Sequence, residues 1–380
     1  MIKRNEYQNK IKKALSRAPV VALLGPRQCG KTTLAKEIES SHYFDLESPV
    51  DQNRLINPEM TLESLSGLVI LDEIQLKPEL FNILRVIVDK ESVNCQYIVL
   101  GSASPGIIKH ASESLAGRIE FIEMSGFDLT EIDNSTSLWV RGGFPRSYLA
   151  KNNENSTTWR ESFIRTFLER DIPQLGIDIP PVTMRRFWTM LAHSHGQTWN
   201  GSELGRSIGA TDKTVRKYLD VLTGTFMTRQ LQPWFENIKK RQVKSPKIYI
   251  RDSGIMHTLL GIENHRQLLS HPKLGASWEG FALEQVLNCL KIDHAYFWAT
   301  HSDAELDLLF VSGGKRYGIE FKFNEAPKTS RSMRIAIDDL NLEQLWIVYP
   351  GEHAYAIDDK ISVMPLSKLG ELNSASSLSG

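Results

Sequence analysis

Two sets of residues are spaced for phosphate chemistry. The first is Gly25-Pro26-Arg27-Gln28-Cys29-Gly30-Lys31-Thr32-Thr33, a G-x-x-x-x-G-K-[ST] run directly after the apolar VVALL. Gly25 and Gly30 let the backbone turn so that successive N–H groups face phosphate oxygens. Lys31 is expected to neutralise the β- and γ-phosphates of ATP, and Thr32 and Thr33 to bind phosphate and metal, with the Thr32 hydroxyl on Mg²⁺. Downstream, Leu68 to Leu71 reads as a buried strand ending in Asp72-Glu73. Asp72 is placed to hold the same Mg²⁺ and Glu73 to orient or deprotonate water, which hydrolysis needs and mere binding does not. The next strand, Tyr97 to Leu100, ends in Gly101-Ser102. Ser102 is either a γ-phosphate sensor or the cap of a turn. Arg118 is either a charge answering the γ-phosphate, in cis or from a neighbouring copy, or a surface arginine. Cys29 contributes backbone to the loop, and its thiol suggests sensitivity to alkylation.

The second set lies near the other end. Glu320 and Lys322, two apart on Tyr317 to Phe323, share a strand face; Asp307 lies on the preceding strand and Glu279 on the helix before it. Charges on otherwise apolar strands need a reason. Asp307 and Glu320 are expected to bind Mg²⁺, or Mn²⁺ in its place, with Lys322 assisting an activated water against a phosphodiester and Glu279 completing the shell. His301 and Asp303 are either at the mouth of this centre or solvated.

Between the two sets, residues 200 to 222 have the form of a helix-turn-helix. Leu204 and Ile208 make one apolar face, Gly209 the turn, and Val215, Leu219 and Leu222 the second stripe. Lys213, Arg216 and Lys217 share the opposite side, which suits DNA phosphates. The run Lys239 to Lys247 reads as a charged wing before a strand from Lys247 to Ile250, or as solvated lysines.

The elements that must position these residues follow from pattern. Short apolar strands at 20–24, 43–46, 68–71 and 97–100 alternate with helices at 31–39 and 78–88, which argues for a parallel α/β sheet. The last stretch runs helix (279–290), strands (295–299, 305–311, 317–323), helix (330–340), strand (345–349). Cuts at the polar KNNENSTT and before Trp278 give three domains, 1–150, 151–275 and 276–380. Their basic and acidic residues number 17 and 19, 19 and 11, and 9 and 15, so the net charge of 0 over 380 residues resolves into −2, +8 and −6. With 41% hydrophobic residues the chain is neither a disordered acidic tail nor a polyanion coat. Three scattered cysteines exclude a disulfide framework. No leader or spanning run is seen, so the expected location is cytoplasmic, with no membrane partner.

These residues resemble the AAA-like ASCE group of P-loop ATPases whose C-terminal half is related to PD-(D/E)xK endonucleases. GPRQCGKTT, LDEIQ, LGSAS, LAGR, RGGFPRSY, the helix-turn-helix, PKIYIRDSG, WEGFALEQV, ELDLLF and IEFKF occur in the family's order over nearly the whole chain. The resemblance implies a P-loop NTPase parallel sheet, a helical winged-helix middle domain and a restriction-endonuclease-like α/β C-terminal domain. Glu279, Asp307, Glu320 and Lys322 fall at that family's motif positions. FWATHSDAELD departs from it in lacking an arginine before the acidic motif. The expected function is an Mg²⁺-dependent ATPase coupled to a DNA-binding, metal-dependent DNA-cleaving domain in DNA maintenance or defence, open to homo-oligomerisation. The alternative is an ATP-driven regulatory switch whose nuclease-like module is silent.

Overall fold

A computed structural model describes residues 2–90, 94–102, 111, 113–236, 240–301 and 304–374. Two compact units emerge: 1–126 with 224–226, and 127–223 with 227–380.

The first unit is a five-stranded parallel sheet. Its strands are β1 (Val20–Gly25), β2 (His42–Asp45), β3 (Gly67–Asp72), β4 (Cys95–Ser102) and β5 (Ile119–Glu123), in the spatial order β2-β3-β4-β1-β5. Alternation sends Val20, Ala22 and Leu24 to one face, against Leu80, Phe81, Leu84 and Ile87 of the helix Leu80–Val88. Val21 and Leu23 face the other way, toward Tyr7, Ile11 and Ala14 of the helix Asn5–Leu15 and Leu34 of the helix Lys31–Lys36. Both faces are covered, as a parallel sheet requires. The four expected strands are present; β5, with only Ile122 buried, has no apolar run to announce it.

The second unit carries a mixed eight-stranded sheet. It contains β6 (Thr228–Pro233), β7 (Lys247–Ile250), β8 (Ala295–Ala299), β9 (Glu305–Ser312), β10 (Lys315–Phe321), β11 (Gln344–Tyr349), β12 (Tyr355–Ala356) and β13 (Ile361–Pro365), in the order β12-β13-β11-β10-β9-β8-β6-β7. Helices Asn153–Thr166, Pro181–His193, Gly201–Ile208, Asp212–Gly224 and Ser253–Leu259 share a second core around Phe187 and Trp188.

The boundaries of these units differ from those drawn on polarity. KNNENSTT is no linker: Asn152 caps the helix that follows, accepting from Asn155 N at 2.8 Å, and Ser156 and Arg160 are fully buried. Arg160 donates to Ser156 Oγ (2.6 Å), Ser147 Oγ (3.2 Å) and Thr258 Oγ1 (2.7 Å), and burial lowers its guanidinium to about 10. The polar residues serve an internal network, which composition cannot distinguish from solvation. Nor does the sheet stop at residue 275, since β6 pairs in parallel with β8. Among the described residues no helix is long and apolar enough to cross a membrane.

Candidate functional site

The phosphate loop leaves β1 at the carboxyl end of the sheet, where parallel α/β sheets bind ligands. Gln28 (φ 63) and Gly30 (φ 105) take left-handed backbone to make the turn. The Lys31 ammonium is buried and donates to the carbonyls of Gly25 and Pro26, both at 2.9 Å. Across the sheet, Thr32 Oγ1 donates to Asp72 Oδ2 at 2.8 Å. β4 lies between β3, which carries Asp72, and β1, which leads into the loop and helix of Thr32, and its register sets Ser102 opposite Gly25. Strand order therefore assembles Gly25, Lys31, Thr32, Asp72 and Ser102 at one edge; Thr33, next in the helix, is exposed. A hydroxyl, a carboxylate and a lysine so placed fit an Mg²⁺-nucleotide.

Glu73 follows in the left-handed region (φ 60), its amide donating to Asp72 Oδ1 at 2.9 Å and its carboxylate accepting from Gln75. Burial raises the Glu73 carboxyl, against the opposing pull of Gln75 and Lys31. A carboxylate raised in this way is a better proton acceptor at neutral pH. Tyr43 was not foreseen: its hydroxyl donates to Asp72 Oδ2 at 2.6 Å, and burial together with that bond pushes the phenol up. Only the pairing of β2 with β3 brings it there, and nothing local in the sequence signals it.

Two expectations are corrected. Arg118 precedes β5, which pairs with β1 from Val20↔Ile119, so it lies at the opposite end of the strand from Gly25, about 17 Å away for five residues of extended chain. Its guanidinium is bound by Asp89 at 2.6 and 2.9 Å, so it does not answer a γ-phosphate in cis. Cys29 is fully buried, its thiol directed at Met124 O at 3.6 Å, and is shielded from alkylation in this state.

In the second unit Glu279 and Asp307 converge, with Glu320 beside Asp307, but Glu279 and Asp307 meet a cation that its basic neighbours in sequence would put in solvent. Lys247, at the start of β7, is 4% exposed. Its ammonium lies 3.3 Å from Glu279 Oε1, 3.3 Å from Asp307 Oδ1 and in contact with Glu305. Tyr249, two residues along the same strand, donates to Glu279 Oε1 at 2.6 Å. Asp307 Oδ2 accepts from the Phe321 amide at 3.0 Å, and Lys322 pairs with Glu320 at 2.9 Å. Burial and the neighbouring Asp307 raise the Glu279 and Glu320 carboxyls. Burial alone would lower Lys247, yet the surrounding Tyr249, Asp307, Glu279 and Glu305 hold it well above its ordinary value. Both oxygens of Asp307 and Oε2 of Glu320, the expected metal ligands, are taken up by Lys247, the Phe321 amide and Lys322. Among the described residues no group of three His, Cys, Asp or Glu is arranged to hold an ion. Glu305, Lys247 and Tyr249 were legible in principle: Glu305 and Asp307, like Lys247 and Tyr249, are two apart on a strand and so share a face.

The helix pair forms as its periodicity predicts, with Gly209 left-handed (φ 73) between the helices and Val215, Leu219 and Leu222 buried. Lys213, Arg216 and Lys217 are exposed, Arg216 bonding Gln230 at 2.9 Å and pairing with Asp220 at 3.3 Å. The antiparallel β6 and β7 follow. Lys239 and Asp303 lie outside the described residues. His301, with Arg241 and Lys244, lines a cleft of about 740 Å³.

Comparison with known proteins agrees with the first centre. Residues 17–133 match an AAA domain, 132–266 a domain of unknown function (DUF8612) and 274–369 another (DUF4143). Distantly similar solved structures include the Walker-type ATPase PABY2304 of Pyrococcus abyssi (15% identity, TM-score 0.49, 68% of this chain and 96% of that one). Another is the T158V variant of Thermotoga maritima RuvB (18%, TM-score 0.30, 60% and 90%). Uncharacterized proteins Rv2008c of Mycobacterium tuberculosis and Mb2031c of Mycobacterium bovis are each 50% identical over 374 residues, 97% of this chain and 85% of theirs. At that identity and coverage the chain belongs to the family of these two mycobacterial proteins, and its first unit is an AAA-like P-loop ATPase domain.

Proposed function

We propose that the protein is an Mg²⁺-dependent ATPase of the cytoplasm, coupled to a DNA-binding, nuclease-like second unit acting in DNA maintenance or defence. The observation that carries the ATPase reading is the Thr32–Asp72 hydrogen bond beside the buried Lys31 and the half-buried Glu73. Bound Mg²⁺ would neutralise charge on the phosphates. Lys31, Thr32 and Thr33 orient those phosphates, Asp72 fixes the Thr32 hydroxyl, and Glu73 takes the proton of the attacking water. Any role of Arg118 at a phosphate belongs to a site on a neighbouring copy in a homo-oligomer.

The DNA half rests on the exposed Lys213, Arg216 and Lys217 on the second helix of a helix-turn-helix followed by a strand pair, the layout of a winged helix. The test has two arms. Glu73→Gln should keep ATP binding and lower hydrolysis by about 10²–10⁴-fold, the usual worth of a general base; unchanged turnover rejects Glu73 as that base. Replacing Lys213 and Lys217 by Ala should weaken duplex binding and flatten its salt dependence by roughly one unit for each phosphate that a lysine no longer neutralises. Equal affinity at low salt removes the helix from the interface.

A second reading is favoured by the closed carboxylate centre: an ATP-driven regulatory switch whose nuclease-like module binds but does not cut. Plasmid and branched DNA incubated with Mg²⁺ or Mn²⁺, with and without ATP, separate the two. Scission that Lys322→Ala abolishes supports cutting; scission no different in Lys322→Ala, or none at all, supports the switch.

A further inference from the structure

Lys247 and its carboxylates explain one another. An ammonium has three N–H donors, and this one faces three carboxylates: Glu279 from the helix Leu274–Leu290, and Glu305 and Asp307 from β9. A cation with 4% exposure is tolerated only when paired, and acidic groups packed together need a positive charge among them. The aromatic face of Phe297 lies 5.7 Å from the same nitrogen and closes another side.

We infer that Lys247 is the resident cation of this centre, and that the lysine and a divalent ion are alternatives for the same carboxylates. An ion held by Glu279 Oε1 and Asp307 Oδ1 at the usual 2.0–2.6 Å or so would lie against an ammonium that is 3.3 Å from both oxygens. Contact and like charge exclude double occupancy. Loading the centre with metal therefore requires β7 to carry the lysine out. β7 is tied to β6 through Leu231↔Lys247 and to Thr198 by an isolated bridge, and the residues leading into it include Arg241 and Lys244 of the cleft. The gate thus belongs to the strand pair after the helix-turn-helix, while the carboxylates belong to the elements that follow. The inference does not depend on whether the centre cuts DNA, because it is read by metal binding.

The experiment is a titration of the full chain with Mn²⁺ without nucleotide, counting bound ions by electron paramagnetic resonance. Wild type, Asp307→Asn, Lys247→Ala, Lys247→Met and Lys247→Ala/Asp307→Asn are compared. The expected result is no ion in wild type that Asp307→Asn removes, one additional ion per chain in Lys247→Ala with affinity raised at least about tenfold, and its loss in the double variant. Lys247→Met keeps the stem and should gain the same ion where truncation to alanine impairs folding. A wild-type chain that already holds an Asp307-dependent ion overturns the inference whatever the variants do. So does a folded Lys247 variant, verified by circular dichroism, that gains no ion.

Discussion

Glu73 sits in a backbone region that costs a residue with a side chain about 1–2 kcal/mol, held there by its N–H donating to Asp72 Oδ1 and by Leu76 N donating to its carbonyl at 3.0 Å. Glu73→Gly should abolish hydrolysis while leaving stability unchanged or up to about 1 kcal/mol higher in urea unfolding; a marked loss of stability would show that the carboxylate is needed for the fold. Two buried histidines make a second residue-scale prediction. Val140 O can only accept, so His257 Nδ1 carries the proton and Nε2 accepts from Ser277, whose oxygen accepts from Trp139 Nε1 at 2.9 Å. Burial lowers His257 to about 4 and His195 to about 3. The unfolded chain then takes up protons that the folded one refuses. Their contribution is complete above about 6.5 and is lost as pH falls toward those values, at about 1.4 kcal/mol per pH unit for each histidine at the steepest. Urea midpoints at pH 7 and 5 should show the fall, and NMR should show the His257 ring protons unmoved between them. At this scale the first centre was legible because Lys31, Thr32, Asp72 and Glu73 sit in local motifs. Tyr43 was not, because its role exists only across two strands.

Among elements, the helix Leu274–Leu290 is closely constrained, since it carries Glu279 and passes close to His195. A Cβ at Gly280 would lie 2.0 Å from His195 Nε2, and that ring is fixed by accepting from Ile250 N at 3.0 Å. Gly280→Ala should therefore destabilise by at least about 1–3 kcal/mol and shift Glu279 from Lys247; a thermal unfolding midpoint equal to wild type would mean the ring can yield. Strand positions are legible where apolar runs are continuous, as in β1, β3, β4 and β9. β12, whose two residues are exposed, and β5 offer no such run. Lys247 shows the limit more sharply. A lysine beginning a strand in a basic segment looks solvated, and only the pairing of the second sheet reveals that it is enclosed.

Over the whole molecule the zero net charge acquires an internal meaning. Lys247 serves Glu279, Glu305 and Asp307; Arg229 and Arg251 both pair with Glu284; Lys240 meets Asp339 at 2.6 Å. The +8 stretch thus supplies counter-ions to the −6 stretch, a task that divalent ions would otherwise perform. Burial opposes ionisation of Glu284, but the two arginines hold its carboxyl down to about 2. A fragment of residues 127–380 should accordingly unfold in one cooperative transition by circular dichroism. Residues 276–380 alone, deprived of β6, β7 and these cations, should be insoluble or lack fixed tertiary structure; a sharp, reversible melt of that short fragment would contradict the shared sheet. The sharing also bears on how such chains are inherited. A recombination event near residue 275 takes the lysine from one parent and its acids from the other, so the buried charges match only where both parents place them alike. Viable hybrids of parents that place them differently should therefore carry the hairpin and the acidic sheet from the same parent.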